Sequence, residues 1–319
     1  MDKAIILLNK QFKPEQIEQI KKIASSYQIK TIDDINESEF NQVEIMYAWN
    51  HAYTSEDLSK FTRLKWLQAA SAGVDYLPKE INEKTDLQIT NMSGVHAVPI
   101  TESVFGYLLG TGRQLFTSQI NQANSQWIRP AHESYFSLKE KTLLVYGTGN
   151  IGQEMAQIGQ AFGMRTIGIN TNGRSIAHFD ETFSMADSLQ AVEKADFIIS
   201  TLPATDQTFH YFNSDWFKHL KQSALFVNIG RGQTVDEEAI VTALTNDQFA
   251  GAYLDVFHTE PLPETSALWQ TKNLLITPHI TGHIAHFAKE TYPIFKENLE
   301  SFVKSGTLSR NLVSKDKGY

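Results

Sequence analysis

Residues 141–152 read Lys-Thr-Leu-Leu-Val-Tyr-Gly-Thr-Gly-Asn-Ile-Gly, an apolar run followed by glycines at positions 147, 149 and 152. Gly147 permits a tight turn after a strand, Gly149 lets the backbone approach a pyrophosphate, and Gly152 lets the next helix pack on the strand. That helix begins near Asn150 and Ile151, and its first N–H groups point at the anion. The stretch predicts a dinucleotide-binding turn, and a purely structural glycine turn is the alternative.

The sequence around this turn alternates between strand and helix patterns. Six short apolar runs follow one another, and helical patterns separate most of them. These runs lie at 142–146, 166–170, 197–200, 224–228, 251–254 and 274–277. Six strands with helical crossovers are typical of a doubly wound parallel sheet, so we predict a Rossmann domain in residues 99–285. A long apolar helix is expected near its start, over residues 101–116.

The two ends of the chain predict a second α/β domain. Residues 1–98 alternate in the same way, with strand patterns at 4–8, 43–48, 66–70 and 87–91. A final amphipathic helix at about 285–304 follows a complete Rossmann series, so we expect it to return to the N-terminal domain. The second domain is therefore predicted to be discontinuous, made of residues 1–98 and 286–319. Its polar tail, Ser314–Tyr319, is expected to fray.

The strand after the glycine turn ends in Asn170, where an NAD site typically carries an acidic residue for the ribose hydroxyls. An asparagine does not repel a 2′-phosphate, and Thr171, Asn172 and Arg174 could donate hydrogen bonds to one. We therefore favour NADP(H) over NAD(H). A solvated Arg174 in a site that accepts either cofactor is the alternative.

Charge and composition exclude several functional classes. The net charge is −8, so no basic field indicates nucleic-acid or acidic-membrane binding. The chain has no cysteine, which excludes disulfides, cysteine-ligated zinc and a thiol nucleophile. No run of about 18 apolar residues predicts a membrane span, and the first apolar run is too short for a signal-peptide core. A cytoplasmic protein is the default expectation.

Three short motifs late in the chain each carry a polar residue where a predicted strand gives way to a loop. They are Asn228-Ile-Gly-Arg-Gly232, Asp255-Val-Phe-His-Thr-Glu-Pro261 and Thr277-Pro-His-Ile280. Ligands bind at this edge of an α/β sheet. Arg231 supplies a fixed cation, His279 a titratable imidazole and Glu260 a carboxylate to orient it. Such a set is able to bind a carboxylate and move a proton at a neighbouring oxygen.

Together with the glycine turn, these motifs resemble the D-isomer-specific 2-hydroxyacid dehydrogenase family. The resemblance runs from about Leu64 to Leu312, and the spacing of 29 residues from Arg231 to Glu260 and 19 from Glu260 to His279 agrees with it. Members include D-lactate dehydrogenase, glyoxylate/hydroxypyruvate reductase and phosphoglycerate dehydrogenase. The resemblance implies a flavodoxin-like substrate domain formed by both chain ends and a Rossmann domain between them.

The resemblance also implies roles for individual residues in interconverting a small 2-oxo acid and its D-2-hydroxy acid. Arg231 would bind the substrate carboxylate and keto oxygen, and His279 would be the acid/base, held in one tautomer by Glu260. Backbone N–H groups of Ala72 and Gly73, within Ser71-Ala-Gly-Val-Asp75, would bind the substrate carboxylate. Further cofactor contacts are expected at the following residues: Leu202, Pro203, Ile229, Gly230 and, for the nicotinamide carboxamide, Asp255.

Other readings stay open. A nucleotide-sensing protein like the corepressors that share this fold is one, and a formate- or phosphite-type dehydrogenase on the same scaffold is another. His283 lies four residues after His279, but Thr281-Gly282 stands between them and we expect no metal site. By analogy with the family we expect a homodimer formed through the nucleotide domain, with the helix from Thr101 and the loop near Trp127 as contacts.

Overall fold

The computed structural model describes residues 3–74 and 76–314, and of Asn82 only the backbone. Asp75 of the predicted substrate loop and positions 315–319 of the predicted tail lie outside the described residues. The chain forms two compact units. The first contains the described residues up to His96 and from Ile284 onward, and the second is Ala97–His283. Each change of unit comes two residues before the boundary expected from the sequence.

The first unit is built on a five-stranded parallel sheet in the order β2-β1-β3-β4-β5. Its strands are β1 (Ile5–Leu8), β2 (Gln28–Thr31), β3 (Val43–Tyr47), β4 (Trp66–Gln68) and β5 (Gln88–Thr90). This is the flavodoxin-like order, with its switch point between β1 and β3. The sequence did not predict β2, because this edge strand is polar and partly exposed and so lacks an apolar run.

The second unit is built on a seven-stranded parallel sheet in the order β12-β11-β10-β9-β6-β7-β8. Its strands are β6 (Thr142–Tyr146), β7 (Arg165–Asn170), β8 (Glu181–Ser184), β9 (Phe197–Ser200), β10 (Leu225–Asn228), β11 (Gly251–Leu254) and β12 (Leu274–Ile276). The Rossmann order with β6 and β9 at its switch point confirms the predicted fold class. The prediction of six strands was wrong by one, because β8 is a half-exposed edge strand with no apolar run.

Helices pack on the two sheets and bury the strands beneath them. They are α1 (Pro14–Ile23), α2 (Ser55–Lys60), α3 (Lys79–Glu83), α4 (Ala97–Gly112), α5 (Leu115–Ala123), α6 (Asn150–Ala161), α7 (Leu189–Val192), α8 (Ser214–Phe217), α9 (Glu237–Thr245) and α10 (Phe287–Ser305). Short 3-10 helices lie at Glu37–Gln42, His132–Ser134, Gly232–Thr234 and Ala267–Gln270. Strands β9, β10 and β11 are buried along their whole length, as expected for parallel strands covered on both faces. In the described part of the chain, no helix is long and apolar enough to cross a membrane.

Helix α4 begins four residues earlier than the sequence predicted. We expected its start at Thr101, but the helix runs from Ala97 and places Thr101 inside it, almost fully buried. The four additional residues include Pro99. In the first turn of a helix a proline is tolerated because its missing N–H would have no partner within the helix.

Helix α10 belongs to the first unit. The ring of Phe295 lies 5.8 Å from that of Phe12, 4.9 Å from that of Tyr47 and 5.3 Å from that of Trp66. After α10 the chain continues along β5, where Leu312 bridges Thr90 in antiparallel fashion. The C-terminal segment therefore lies on the edge of the first sheet.

Candidate active site

Arg231 lies in a loop that directly follows β10 and is fixed by hydrogen bonds to side chains. Asn228 is fully buried; its Nδ2 donates to the carbonyl oxygen of Arg231 (3.0 Å) and its Oδ1 accepts from the amide of Gly230 (3.2 Å). The Thr234 hydroxyl donates to the same Arg231 carbonyl (2.7 Å). At Gly232 a Cβ atom would stand 1.9 Å from the carbonyl carbon of Phe257, so only glycine allows this close approach. The backbone that carries the guanidinium is therefore held rigidly.

Glu260 and His279 form a hydrogen-bonded pair. Nδ1 of His279 lies 2.8 Å from Oε2 of Glu260, and the other carboxylate oxygen accepts from the amide of Phe257 (2.9 Å). The side chains are about half and one third exposed, at 51% for His279 and 37% for Glu260. Because a carboxylate only accepts hydrogen bonds, Nδ1 carries the proton and Nε2 is the nitrogen able to exchange one with a ligand.

The loop that carries His279 is anchored on Asp255. The carboxylate of Asp255 is fully buried; Oδ1 accepts from the Thr277 hydroxyl and the Ile280 amide (2.9 Å), and Oδ2 accepts from the hydroxyl and amide of Thr281. The backbone of Asp255 also accepts from the His279 amide (2.8 Å). His279 itself has a φ of 55°, a left-handed conformation that costs free energy in a residue other than glycine. Asp255 therefore holds the histidine in a conformation that the chain would not adopt unaided.

A tyrosine extends this anchor into the sheet. The hydroxyl of Tyr253, on β11, lies 2.9 Å from the Thr277 hydroxyl. Burial raises the pKa of Tyr253 to about 12, so the phenol stays neutral at physiological pH. Because the Thr277 hydroxyl donates its proton to Asp255, Tyr253 must donate to Thr277. The chain of donors from Tyr253 through Thr277 ends on the Asp255 carboxylate.

The glycine turn has the geometry that a dinucleotide requires. Gly147 has a φ of +98°, and a Cβ atom there would stand 2.2 Å from the Thr201 hydroxyl oxygen. At Gly149 nothing lies within 4 Å of the Cβ position, which leaves open space beside the backbone. At Gly152 a Cβ atom would stand 2.0 Å from the carbonyl oxygen of Gly147. Helix α6 begins at Asn150, so its N-terminus faces this space, and the residues present fit a bound pyrophosphate.

The end of β7 carries no carboxylate. The side chain of Asn170 is almost buried and bonds within its own loop, with Nδ2 donating to the Arg174 carbonyl (2.9 Å) and Oδ1 accepting from the Asn172 amide (3.3 Å). Thr171 is exposed. Asn170 therefore shapes the loop that presents Thr171 and Arg174, and the direct cofactor contact predicted for it stays a prediction.

The other predicted cofactor residues lie at the same edge of the second sheet. Leu202 and Pro203 follow β9, and Ile229 and Gly230 follow β10. The two loops touch, since a Cβ atom at Gly230 would stand 2.4 Å from the carbonyl oxygen of Leu202. The structure therefore brings these residues together beside the glycine turn, which follows the neighbouring strand β6.

In the first unit, the loop Ser71–Gly73 lies just beyond the carboxyl end of β4. Ala72 and Gly73 are partly buried, and the Ser71 hydroxyl donates to the carbonyl oxygen of Gly73 (2.8 Å). The side chain of Asn91, beyond the end of β5, donates to the carbonyl oxygen of Ala72 (2.8 Å). These contacts give the loop a defined shape.

Comparison with known proteins agrees with this geometry. The family model for the D-isomer specific 2-hydroxyacid dehydrogenase NAD binding domain matches residues 105–281, just over half of the chain. A glyoxylate reductase from Thermococcus litoralis is 31% identical over 268 residues, which cover 82% of this chain and 80% of that protein. The chain belongs to the D-isomer-specific 2-hydroxyacid dehydrogenase family. It is therefore an NAD(P)-dependent oxidoreductase that acts on CH–OH groups.

Solved structures of family members have the same fold. A D-isomer specific 2-hydroxyacid dehydrogenase family protein from Aeromonas salmonicida superposes with a TM-score of 0.85 at 33% identity, over 99% of this chain and all of that chain. An NADPH-dependent glyoxylate/hydroxypyruvate reductase from Sinorhizobium meliloti, in complex with NADP and sulfate, gives a TM-score of 0.82 at 24% identity, over 99% of this chain and all of that one. The second likeness concerns the fold alone.

The anchoring role of Asp255 gives a first prediction. In Asp255→Asn one carboxylate oxygen becomes an NH2 group, which meets a hydroxyl and an amide that both donate. We expect the His279 loop to lose its fixed conformation, and kcat for reduction of a 2-oxo acid to fall by about 10- to 100-fold, as when the partner of a buried hydrogen-bonded charge is lost. Steady-state kinetics measure the fall. The matched control is Asp247→Asn, an exposed carboxylate paired with Lys272, which should leave kcat unchanged.

The sequence predicted the charged residues of this candidate site but not the neutral residues that hold them. Asn228, Thr277, Thr281 and Asn91 were not predicted to have any role. Each follows a strand or stands within a quoted motif, and this position was the available signal. Their bonding partners lie as far away in sequence as 26 residues for Thr281 and 220 residues for Asn91, which no local pattern reveals.

Proposed function

We propose that this protein reduces small 2-oxo acids to D-2-hydroxy acids, and catalyses the reverse reaction, with NADPH as the preferred hydride donor. The observation that carries the proposal is the His279–Glu260 pair, with Nδ1 and Oε2 2.8 Å apart, at the sheet edge that also carries Arg231 and the glycine turn. The glyoxylate reductase from Thermococcus litoralis supports a substrate as small as glyoxylate.

Arg231 binds the anionic end of the substrate. Its planar guanidinium matches a carboxylate with two parallel hydrogen bonds and remains charged at any working pH. A further donor of the same group reaches the adjacent keto oxygen, which draws electron density away from C2. Because Asn228 and Thr234 fix the backbone of Arg231, the substrate is held without a large ordering cost.

His279 moves the proton. When bound, the reduced nicotinamide supplies the hydride that C2 receives. His279 donates the proton on Nε2 to the carbonyl oxygen in the reducing direction, and the neutral ring takes it back in the oxidising direction. Glu260 stabilises the imidazolium, keeps Nδ1 protonated and fixes the plane of the ring.

The backbone amides of Ala72 and Gly73 bind the substrate carboxylate as well. Two neighbouring N–H groups in a loop form a concave anion site that needs no charged side chain. Neither amide has a hydrogen-bond acceptor among the described residues, so both are available to a ligand. Selectivity among 2-oxo acids is assigned to the loops of the first unit rather than to Arg231, Glu260 and His279.

A panel of 2-oxo acids tests the function. Glyoxylate, pyruvate and hydroxypyruvate are each mixed with NADPH or NADH, and cofactor oxidation is followed at 340 nm. Turnover of at least one acid supports the proposal. Cofactor binding without turnover would support a nucleotide-sensing protein instead, and oxidation of formate or phosphite in a separate assay with NADP+ or NAD+ would support the other class of dehydrogenase.

The cofactor preference gives a second prediction. Since β7 ends without a carboxylate and Arg174 stands in the following loop, kcat/KM should be higher with NADPH than with NADH. Arg174→Ala should lower kcat/KM for NADPH by about 10-fold, the value of one charge-assisted hydrogen bond, and leave that for NADH unchanged. Arg165→Ala, at the opposite end of the same strand, is the matched control. A wild-type ratio favouring NADH would refute this assignment.

A homodimer in the cytoplasm completes the proposal. The exposed apolar side chains of α5 and the segment after it offer a surface for a second copy; they are Leu115, Ile120, Trp127 and Ile128, and Trp127 is 92% exposed. A helix face with this much exposed apolar surface is typical of an interface. Sedimentation equilibrium reports the mass.

A further inference from the structure

The loop that carries Ala72 and Gly73 is held from the neighbouring strand. Beyond β5, the buried side chain of Asn91 donates from Nδ2 to the carbonyl oxygen of Ala72 (2.8 Å). The next residue, Met92, donates from its amide to the carbonyl oxygen of Ser71 (2.9 Å). Two consecutive carbonyl groups of the loop are therefore bound by two consecutive residues.

These two bonds determine where the loop amides point. In a planar trans peptide the C=O of one residue and the N–H of the next point in opposite directions. The Ala72 carbonyl shares its peptide with the Gly73 amide, and the Ser71 carbonyl shares its peptide with the Ala72 amide. Binding both carbonyls on the side of β5 therefore turns both N–H groups to the opposite side. Within residues 3–74 and 76–314, the structure shows no acceptor for either amide.

Asn91 is itself held by the C-terminal segment. Its amide donates to the carbonyl oxygen of Asn311 (3.1 Å), and Nδ2 of Asn311 donates to the carbonyl oxygens of Asn91 (3.1 Å) and Ser93 (2.9 Å). Asn311 has a φ of 56°, a left-handed conformation that asparagine tolerates better than most residues. A relay of hydrogen bonds thus runs from Asn311 through Asn91 to the peptide between Ala72 and Gly73.

We propose that Asn91 is a positioning residue that aims the Gly73 amide at the substrate carboxylate, and that Asn311 of the C-terminal segment holds Asn91 in place. The proposal rests on the proposed function, in which these amides bind a 2-oxo acid. Asn91 does not touch the substrate. It acts on binding through the orientation of one peptide group, so its loss raises KM more than it lowers kcat.

The test uses two neutral substitutions in the full-length protein. In Asn91→Ser, the serine side chain is too short to reach the Ala72 carbonyl, but its hydroxyl oxygen can still accept from the Ser93 amide. Asn311→Gly removes the side-chain donors and preserves the left-handed backbone. With glyoxylate and NADPH we expect KM to rise about 10-fold or more in Asn91→Ser and by a smaller factor in Asn311→Gly. We expect kcat to change less than about threefold and the Kd of NADPH to stay constant.

A control variant separates a loss of loop positioning from a general loss of stability. Thr291→Val removes the buried hydrogen bond between Thr291 and Tyr47 in the same unit, far along the chain from Asn91. Thr291→Val should lower the melting temperature by about as much as Asn91→Ser does. It should leave the KM for glyoxylate unchanged. A KM rise of equal size in Thr291→Val would assign the effect to loss of structure and overturn the proposal.

The remaining outcomes also decide the proposal. A wild-type KM in Asn91→Ser, with turnover intact, overturns the positioning role and leaves the proposed function standing. If Asn91→Ser does not fold, the KM of Asn311→Gly decides, and a wild-type value again overturns the role. Absence of 2-oxo acid turnover in the wild-type protein defeats both proposals together.

Discussion

Replacing His279 by glutamine should lower kcat for glyoxylate reduction by about 10²- to 10⁴-fold, the usual contribution of a positioned general acid. Glutamine retains hydrogen-bonding capacity and approximate size, so the loop held by Asp255 should remain folded. It has no proton to give at neutral pH, and the developing alkoxide must take one from water. Stopped-flow or steady-state assays at saturating NADPH measure the fall. The Kd of NADPH, measured by fluorescence titration, should change by less than about twofold, because binding does not use the proton.

His283 provides the matched control for this experiment. It lies four residues further along the same segment, and its amide bonds to the Ile280 carbonyl, but its side chain has no proposed part in the reaction. His283→Gln should retain wild-type kcat. If His279→Gln keeps wild-type turnover, or if both variants lose turnover equally, His279 is not the acid.

The second large effect is expected at Arg231. Arg231→Lys keeps the charge but replaces a planar fork by a single point donor, so the two parallel hydrogen bonds to the carboxylate cannot both form. We expect kcat/KM for glyoxylate to fall by about 10²- to 10³-fold, which corresponds to about 3–4 kcal/mol of transition-state binding. Most of the fall should be in KM, since the carboxylate is bound in the ground state as well.

The control for Arg231→Lys is the melting temperature, which shows whether the loop that carries residue 231 stays folded. The backbone of this loop is fixed mainly by Asn228 and Thr234, and the guanidinium adds a bond from Nη1 to the carbonyl oxygen of Gly230 (2.8 Å), so the melting temperature should fall by no more than a few degrees. An unchanged KM for glyoxylate would show that Arg231 does not bind the substrate. Full activity with lysine would show that charge alone suffices.

The fold was predictable wherever a strand is buried. All six apolar runs of the Rossmann series correspond to strands, with ends that differ by no more than one residue. Interior strands such as β9, β10 and β11 are covered on both faces and are therefore rich in apolar residues. The strands that were missed, Gln28–Thr31 and Glu181–Ser184, are edge strands. Their side chains are mostly half-exposed, and only the backbone bonds to the neighbouring strand reveal them.

The candidate site also contains residues that the sequence reveals and residues that only the structure reveals. Arg231, Glu260 and His279 were singled out because each stands in a short polar motif that follows a predicted strand, and the structure places Glu260 against His279. Asp255 was predicted to bind the nicotinamide carboxamide, which stays a prediction, and the structure adds that its carboxylate accepts four hydrogen bonds from the His279 loop. Nothing in a single sequence distinguishes a carboxylate that faces a ligand from one that anchors a loop.

The order of the two units along the chain has a consequence for how such enzymes diversify. Arg231, Glu260, His279 and the glycine turn all come from one uninterrupted stretch, Ala97–His283, which is inserted into the first unit. The proposed substrate loop and the C-terminal residues that brace it come from the flanking parts. Exchange of this one stretch by recombination at two points would therefore carry all of the proposed catalytic residues and the glycine turn together. A lineage built this way can change the acid it accepts and the coenzyme it uses in separate steps.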